Sequence, residues 1–432
     1  MRILTIVKDL RAGGTQRVAR NFALGYKAYG AESALLAYEM SGPLEGSLRQ
    51  AGVAVFVGEA HAGVGGALAW RPDAVHIHRP GLADRRTGAL LQAVKSTKRM
   101  GTSAPVGVLE TNVFGRVDYS AAAANIDIHL HLSKWCLWRW TRWAGLRRPR
   151  PFGVVLPNLV MHEEFSAVSA AARDEFRRRH GIPQSALLFG RIGAPDSAKW
   201  SLTLLDAFGE YAGDNPRAWL LLVGVPEDIR HAVQLLPPAI RERIKVLDFI
   251  RDDAALSAAY AAMDVFLHAS RIGESFGMVL AEALLCAVPV VALSTPCKDN
   301  SQLEVVGHEQ GGLIVASTAG MVRAMRQLED ERLRAQYAAL GATAIKQRYG
   351  PQALLPIALE IARLAAEGLP QAQFRQKVLE IPGLVATATG TEIRDLMQRC
   401  LGRYPLSDLA LMRLVLNPLL YMAYLRLMRS SP

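Results

Sequence analysis

Cysteine is scarce in this chain: Cys136, Cys286, Cys297 and Cys400 are the only four in 432 residues, widely spaced and without a CxxC pair. That spacing argues against a zinc site and against a disulfide scaffold, and it fits a reducing compartment. Long hydrophobic runs are lacking too. Lys8 and Asp9 cut the N-terminal MRILTIVKDL far short of a secretory h-region, so it reads as a first β-strand. The most apolar stretch near the C-terminus, Leu414 to Leu425, holds Asn417 and Pro418 and lies between Arg413 and Arg426. Its 12 residues cannot span a bilayer as a helix. No repeat of 20 to 50 residues is visible.

What is present points to a folded chain of two domains. Half of the residues are hydrophobic and 21% are charged, so a sizeable core can form. A single core stops growing near 300 residues, well short of this length. The formal charge of +11 is uneven: residues 1–158 hold 21 Lys+Arg and 10 Asp+Glu, which leaves 29 of each sign in 159–432. A basic field of this kind attracts nucleic acid, anionic lipid or phosphorylated substrates, and charge alone does not choose among them.

Short apolar runs alternate with helical patterns: ILTIV (3–7), SALLAY (33–38), VAVFV (53–57), AVHIH (74–78) and PVGVL (105–109). This is the rhythm of βα units in a parallel sheet. It restarts after residue 180 with ALLFG (186–190), WLLLVG (219–224), IKVLDF (244–249), DVFLHAS (264–270) and VPVVAL (288–293). Turn residues Pro157 and Asn158 place a boundary between two α/β halves, 1–158 and 159–345. Residues 346–432 read as a helical crossover and tail.

In open parallel sheets, ligands bind beyond the carboxyl ends of the strands. Three loops there carry chemistry. In LRAGGT (10–15), Gly13 and Gly14 let the backbone approach an anion at a helix start, although an ordinary strand-to-helix turn has the same composition. A dinucleotide fingerprint would need GxGxxG, which is absent, and this ranks a dehydrogenase low. In FGRIGAPDSAKW (189–200), Arg191 and Lys199 flank a turn-rich loop; two such cations neutralise a diphosphate, or form a solvated basic loop. In RIGESFGMVLAEALLCAVPVVAL (271–293), Gly277, Met278 and Val279 open a helix whose N–H groups suit a diphosphate. Glu274 is left on the loop to accept hydrogen bonds from sugar hydroxyls. Glu282 lies on an apolar helix and needs a partner, either a ribose diol or a neighbouring loop.

GESFGMVLAEALLCAVPVVA, with two glutamates eight positions apart ahead of a Pro-Val-Val strand, resembles the GT-B glycosyltransferases and among them the large retaining family 4, or group 1. The likeness extends to GGTQRVA after the first strand, PDAVHIH (72–78), LPN (156–158) and the Gly190-Arg191 to Lys199 stretch, about residues 1 to 345 in all. The resemblance implies two Rossmann-like domains facing a central cleft and a UDP- or GDP-linked sugar as co-substrate, with no other cofactor and no metal. It implies that Arg191 and Lys199 hold the diphosphate, Glu282 the ribose, and Glu274 with the amides around Phe276 and Gly277 the transferred sugar. Phe249 and Ile250 would lie beside the base, and Gly14 would close the site. Two positions depart from the pattern. Asn112, in LETNVFGR (109–116), stands where many members place a histidine; an amide is no general base, so it is expected to position a hydroxyl. Trp200 follows Lys199 where glycine is usual. The mechanism implied is retaining and metal-independent, on a saccharide or lipid-linked acceptor in envelope or exopolysaccharide synthesis. Glu110 is the nearest candidate for a carboxylate nucleophile, and a front-face reaction is preferred to it.

SKWCLWRWTRWAGLRRPR (133–150) interleaves tryptophan with Lys and Arg. On a helix Trp135, Trp138, Arg139 and Arg142 share a face, and tryptophan with arginine suits an anionic membrane surface. A core helix with a basic face, or an oligomer contact, reads the same. Leu406 to Leu425 is a second lipid-facing or domain-packing segment. The expected location is the cytoplasmic face of the cell membrane. A scaffold that has lost activity and binds nucleic acid or membrane is the alternative, but no recognition helix or stacking platform is visible, so no nucleic-acid partner is expected.

Overall fold

A computed structural model describes residues 1–59, 61–99, 104–165, 169–402 and 406–430. The chain forms two compact units: 1–159 with 351–393 and 410–432, and 160–350 with 394–409.

The first unit is built on seven parallel strands: β1 Arg2–Asp9, β2 Glu32–Met40, β3 Ala54–Val57, β4 Ala74–Arg79, β5 Gly107–Asn112, β6 Ile128–His131 and β7 Gly153–Val155. Their order is β3-β2-β1-β4-β5-β6-β7. The central strands are buried on both faces, which explains their near-continuous apolar runs. Helix Gly14–Ala28 follows β1 and buries Val18, Ala19, Phe22, Ala23 and Tyr26. Helix Pro351–Ala366 returns to this unit so closely that a Cβ on Gly107 would lie 2.6 Å from the backbone of Ala365.

The second unit has six parallel strands: β8 Leu187–Ile192, β9 Ala218–Val223, β10 Ile244–Leu247, β11 Val265–His268, β12 Val290–Leu293 and β13 Gly312–Val315. Their order, β10-β9-β8-β11-β12-β13, is doubly wound. The chain changes direction between β8 and β11, so the loops after these two strands flank the topological switch point, where such sheets bind ligands. The core is aliphatic and aromatic: Phe189, Phe208, Tyr211, Leu220, Leu222, Leu267 and Val291 among others.

Every strand read from the sequence is present within a few residues, and so are three that were not. β6, β7 and β13 are three or four residues long. IHLH in β6 alternates histidine with aliphatics, and Val154 and Val155 of β7 fall in the segment read as a turn. None of the four cysteines is in a disulfide among the described residues.

Candidate functional site

At the carboxyl end of β8 the backbone runs Gly190, Arg191, Ile192. Gly190 packs against Met263, whose sulfur would stand 2.3 Å from a Cβ at this position. Arg191 is 1% exposed. Its Nη1 donates to the carbonyl of Ile192 at 2.8 Å and its Nη2 to that of Lys199 at 3.2 Å, while its Nε has no acceptor. No ion pair involves Arg191 among the described residues. Its guanidinium lies 5.3 Å from the ring centre of Trp200 and 5.7 Å from that of Phe266. Burial pulls its pKa below the ordinary arginine value, and Glu274 offsets part of this.

Trp200 accounts for the departure from glycine after Lys199. Its ring is 2% exposed, its Nε1 donates to Ala194 at 2.9 Å, and it packs against Gly193. The indole thus serves as the core of the 194–199 loop and holds Lys199, partly buried, beside the site.

From β11, the loop 269–277 carries Glu274. Gly273 has φ +72, and a Cβ on it would stand 1.7 Å from the carbonyl oxygen of Asp299, so only glycine fits. Gly277 has φ +91 and starts helix Met278–Leu285. Glu274 is 16% exposed on its side chain, and its Oε1 lies 3.0 Å from Nε2 of His268, the buried last residue of β11. Burial would raise its pKa, but His268, then Arg191 and Lys199, outweigh that and hold it below the ordinary glutamate value. Arg191, Lys199, Glu274 and His268 therefore converge at the switch point.

Glu282 is 5% exposed, and one of its oxygens accepts from the Tyr260 hydroxyl at 2.8 Å. Burial and then the neighbouring Glu282 push the Tyr260 phenol well above its usual range, so it stays a donor. The Phe276 side chain is core, edge-on to Tyr349 with ring centres 5.0 Å apart. Phe249, 37% exposed, and Ile250 follow β10, with Phe249 against Gly224 at the end of β9. Sequence reading missed His268 and Tyr260. The signal for the first was a lone histidine closing an apolar strand directly before the acidic loop; Tyr260 carried none.

In the first unit, Gly13 caps helix Gly14–Ala28 in an extended conformation, and nothing lies within 4 Å of where a Gly14 Cβ would point. Beside them Asp9, fully buried, accepts from the Arg11 backbone N–H at 3.0 Å, Arg11 Nη2 at 2.8 Å and Gln16 Nε2 at 3.0 Å.

Two expectations need correction, those for Asn112 and for the tryptophan helix, and the candidate nucleophile Glu110 is set aside in line with the preferred front-face course. Asn112 is 1% exposed; its Oδ1 accepts from the Arg116 N–H at 3.0 Å and its Nδ2 donates to the Arg116 carbonyl at 2.7 Å. It braces the 112–116 loop and does not present its amide to a hydroxyl. Glu110 is fully buried between Arg79 and His129, and these two partners, against the effect of burial, hold it at about 2. A carboxylate enclosed in this way cannot reach a sugar. Trp135, Trp138 and Arg139 are 1%, 7% and 3% exposed on helix Lys134–Trp143. Trp135 packs edge-on to Trp138, and Arg139 donates to the Phe114 carbonyl at 2.9 Å, so only Arg142 of the four reaches the surface.

Residues 183–331 match the family model described as Glycosyl transferases group 1. The chain is 27% identical over 262 residues to a GDP-mannose-dependent alpha-mannosyltransferase of Mycolicibacterium smegmatis, covering 55% of this chain and 62% of that one. It is 31% identical over 201 residues to a phosphatidyl-myo-inositol mannosyltransferase of Mycobacterium tuberculosis, covering 45% and 50%. The chain thus spans about half to three fifths of the length of these relatives. Among solved structures, Anabaena HepE in complex with UDP-glucose superposes with TM-score 0.64 at 18% identity, over 88% of this chain and all of that one. A glycosyltransferase of Rickettsia africae gives 0.66 at 14%, over 84% and 98%.

Proposed function

We propose that this chain, whose residues 183–331 match the group 1 glycosyl transferase model and whose fold is that of the GT-B structures, moves a hexose-type sugar from a nucleoside diphosphate to a saccharide or lipid-linked acceptor. The observation that carries the reading is Arg191, a buried cation without an ion-pair partner among the described residues and with an unused N–H. Leaving a charge in such a place is costly unless an anion arrives to meet it.

The diphosphate is held by Arg191, Lys199 and the amides of Gly277 and Met278, the sugar by Glu274, and the ribose by Glu282 with its Tyr260 partner. The base lies beside Phe249 and Ile250. The loop after β10 stands three strand intervals from the loop after β11, roughly 14 Å, which suits the length of a nucleotide sugar. UDP- and GDP-linked sugars are the donors; the Mycolicibacterium relative, named for GDP-mannose, and HepE, bound to UDP-glucose, support this choice.

The reaction retains the anomeric configuration and needs no metal. The bond from the anomeric carbon to the diphosphate oxygen breaks, the acceptor oxygen bonds to the same face, and the acceptor proton passes to the departing phosphate. Charge grows on the diphosphate as it leaves, and fixed cations and amides stabilise that charge more than the ground state. Enclosure of Glu110 between Arg79 and His129 supports a front-face course over a carboxylate nucleophile. The enzyme works peripherally on the inner face of the cell membrane in envelope or exopolysaccharide synthesis. Its basic excess and the lipid-acting Mycobacterium relative support this.

The test is nucleotide release by the purified chain across UDP-, GDP- and ADP-sugars, with and without EDTA. Saturable release from one nucleotide class, insensitive to EDTA, is expected; silence across the panel with added saccharide and lipid-linked acceptors overturns the reading.

A further inference from the structure

The buried tryptophan helix is covered by the tail. Trp143 stacks on Tyr421 with ring centres 4.2 Å apart and planes 5° from parallel, and its Nε1 donates to the Val415 carbonyl at 3.0 Å. The Tyr421 hydroxyl accepts from the Val117 N–H at 3.1 Å. Met412, Leu416 and Tyr421 thus form an inner face. The outer face is apolar too: Leu411, Leu414, Leu419, Leu420 and Tyr424 are 46% to 65% exposed. Leu146, in the turn that the last helix packs against, adds 47%. A soluble monomer seldom leaves so many large apolar side chains together in water.

Charge selects the occupant. No Asp or Glu follows Asp408, while Arg413 and Arg426 are exposed on the tail, Arg142 is exposed in the last turn of the tryptophan helix, and Arg148 and Arg150 are exposed after it. Apolar side chains among arginines, with no acid between them, fit an anionic bilayer surface. Neither helix alone is long enough to cross, and the packing of the pair on the first unit sets the rest. Helices Leu406–Val415 and Pro418–Ser430 have 10 and 13 residues, roughly 15 and 20 Å, and a 62° bend separates them. With their inner face fixed to the protein, they offer lipid one side only.

The geometry points to the outer face of residues 411–426 as the surface that docks this chain on an anionic membrane, lying in the interface without spanning it. This rests on the peripheral membrane reading above and names its surface, replacing the tryptophan helix in that role. The test is co-sedimentation of the full chain with vesicles of phosphatidylcholine alone and mixed with phosphatidylglycerol. Two variants, L419D/L420D and L411S/L414S, are compared with the parent after circular dichroism confirms their fold, and donor turnover is measured on the same samples. Binding to the mixed vesicles that falls at least about tenfold in both variants, with donor turnover kept, supports the proposal. Equal binding by parent and variants overturns this surface and leaves the membrane reading standing. No binding by the parent overturns both, and turnover on the same samples decides glycosyl transfer separately. A concentration-dependent dimer that the variants abolish, without vesicle binding, assigns the face to a second copy and overturns the proposal.

Discussion

Nε2 of His268 stands 3.0 Å from Oε1 of Glu274, so a fully buried ring at the end of β11 fixes a carboxylate on the following loop. Burial, and then Arg191, push the His268 pKa below the usual 6.5, which keeps the ring neutral at pH 7; its Nδ1 has no partner, so the proton sits on Nε2 and points at Glu274. His268→Ala is expected to lower kcat about tenfold with a smaller change in KM, because a loosely held carboxylate is misplaced in the transition state. His268→Gln, which keeps a donor, should recover part of the loss. Steady-state kinetics of the two variants is the check, and equal kcat in parent and His268→Ala removes the positioning role.

Arg191 carries opposite effects on activity and stability. Arg191→Met is expected to lower kcat/KM by about 100-fold or more, the cost of losing a fixed charge at a leaving group. Without nucleotide the same variant should melt at the same temperature or higher, since an uncompensated buried cation is removed. Calorimetry with and without a nucleoside diphosphate reads both, and the ligand-induced rise in Tm should vanish in the variant.

Asn112 acts on stability. Asn112→Ala leaves the Arg116 backbone N–H and carbonyl without partners and should cost about 1–3 kcal/mol. Turnover per folded molecule should remain within a few-fold of the parent. Denaturant unfolding measured alongside kinetics separates the two, and a large kcat loss in a fully folded variant contradicts the structural role.

Acid should destabilise the first unit progressively. Burial lowers His76 and His131 to about 3 from 6.5. Between those values the unfolded chain binds protons that the folded chain refuses, so stability falls as pH drops from about 6.5 toward 3, by at most about 2.7 kcal/mol per pH unit for the pair. Glu110, held at about 2 against an ordinary 4.5, works in the same direction, its contribution being present above 4.5 and lost as pH falls toward 2. Melting curves from pH 8 to 4 should show the decline, and His76→Gln with His131→Gln should flatten it.

Local patterns carried much of this in the sequence. The apolar runs of β1 to β5 and β8 to β12 were readable because strands buried on both faces need continuous aliphatics, and Gly273, Glu274 and Gly277 because a tight loop ahead of a helix demands them. Partnership across the fold was not readable. Nothing along the chain tells that Tyr260 reaches Glu282, that Arg79 and His129 enclose Glu110, or that Asn112 spends its amide on Arg116. The tryptophan-arginine segment misled because its composition suits a lipid interface, while partners distant along the chain cover it, Tyr421 on Trp143 and the Phe114 carbonyl at Arg139.

The central claim is that Arg191 and Lys199 hold the diphosphate while Glu274 faces the sugar, and isothermal titration of UDP and GDP into the parent, Arg191→Ala, Lys199→Ala and Glu274→Gln tests it most directly. One nucleotide is expected to bind the parent, to bind both cation variants at least about tenfold more weakly, and to bind Glu274→Gln as tightly as the parent. Unchanged affinity in Arg191→Ala contradicts the account.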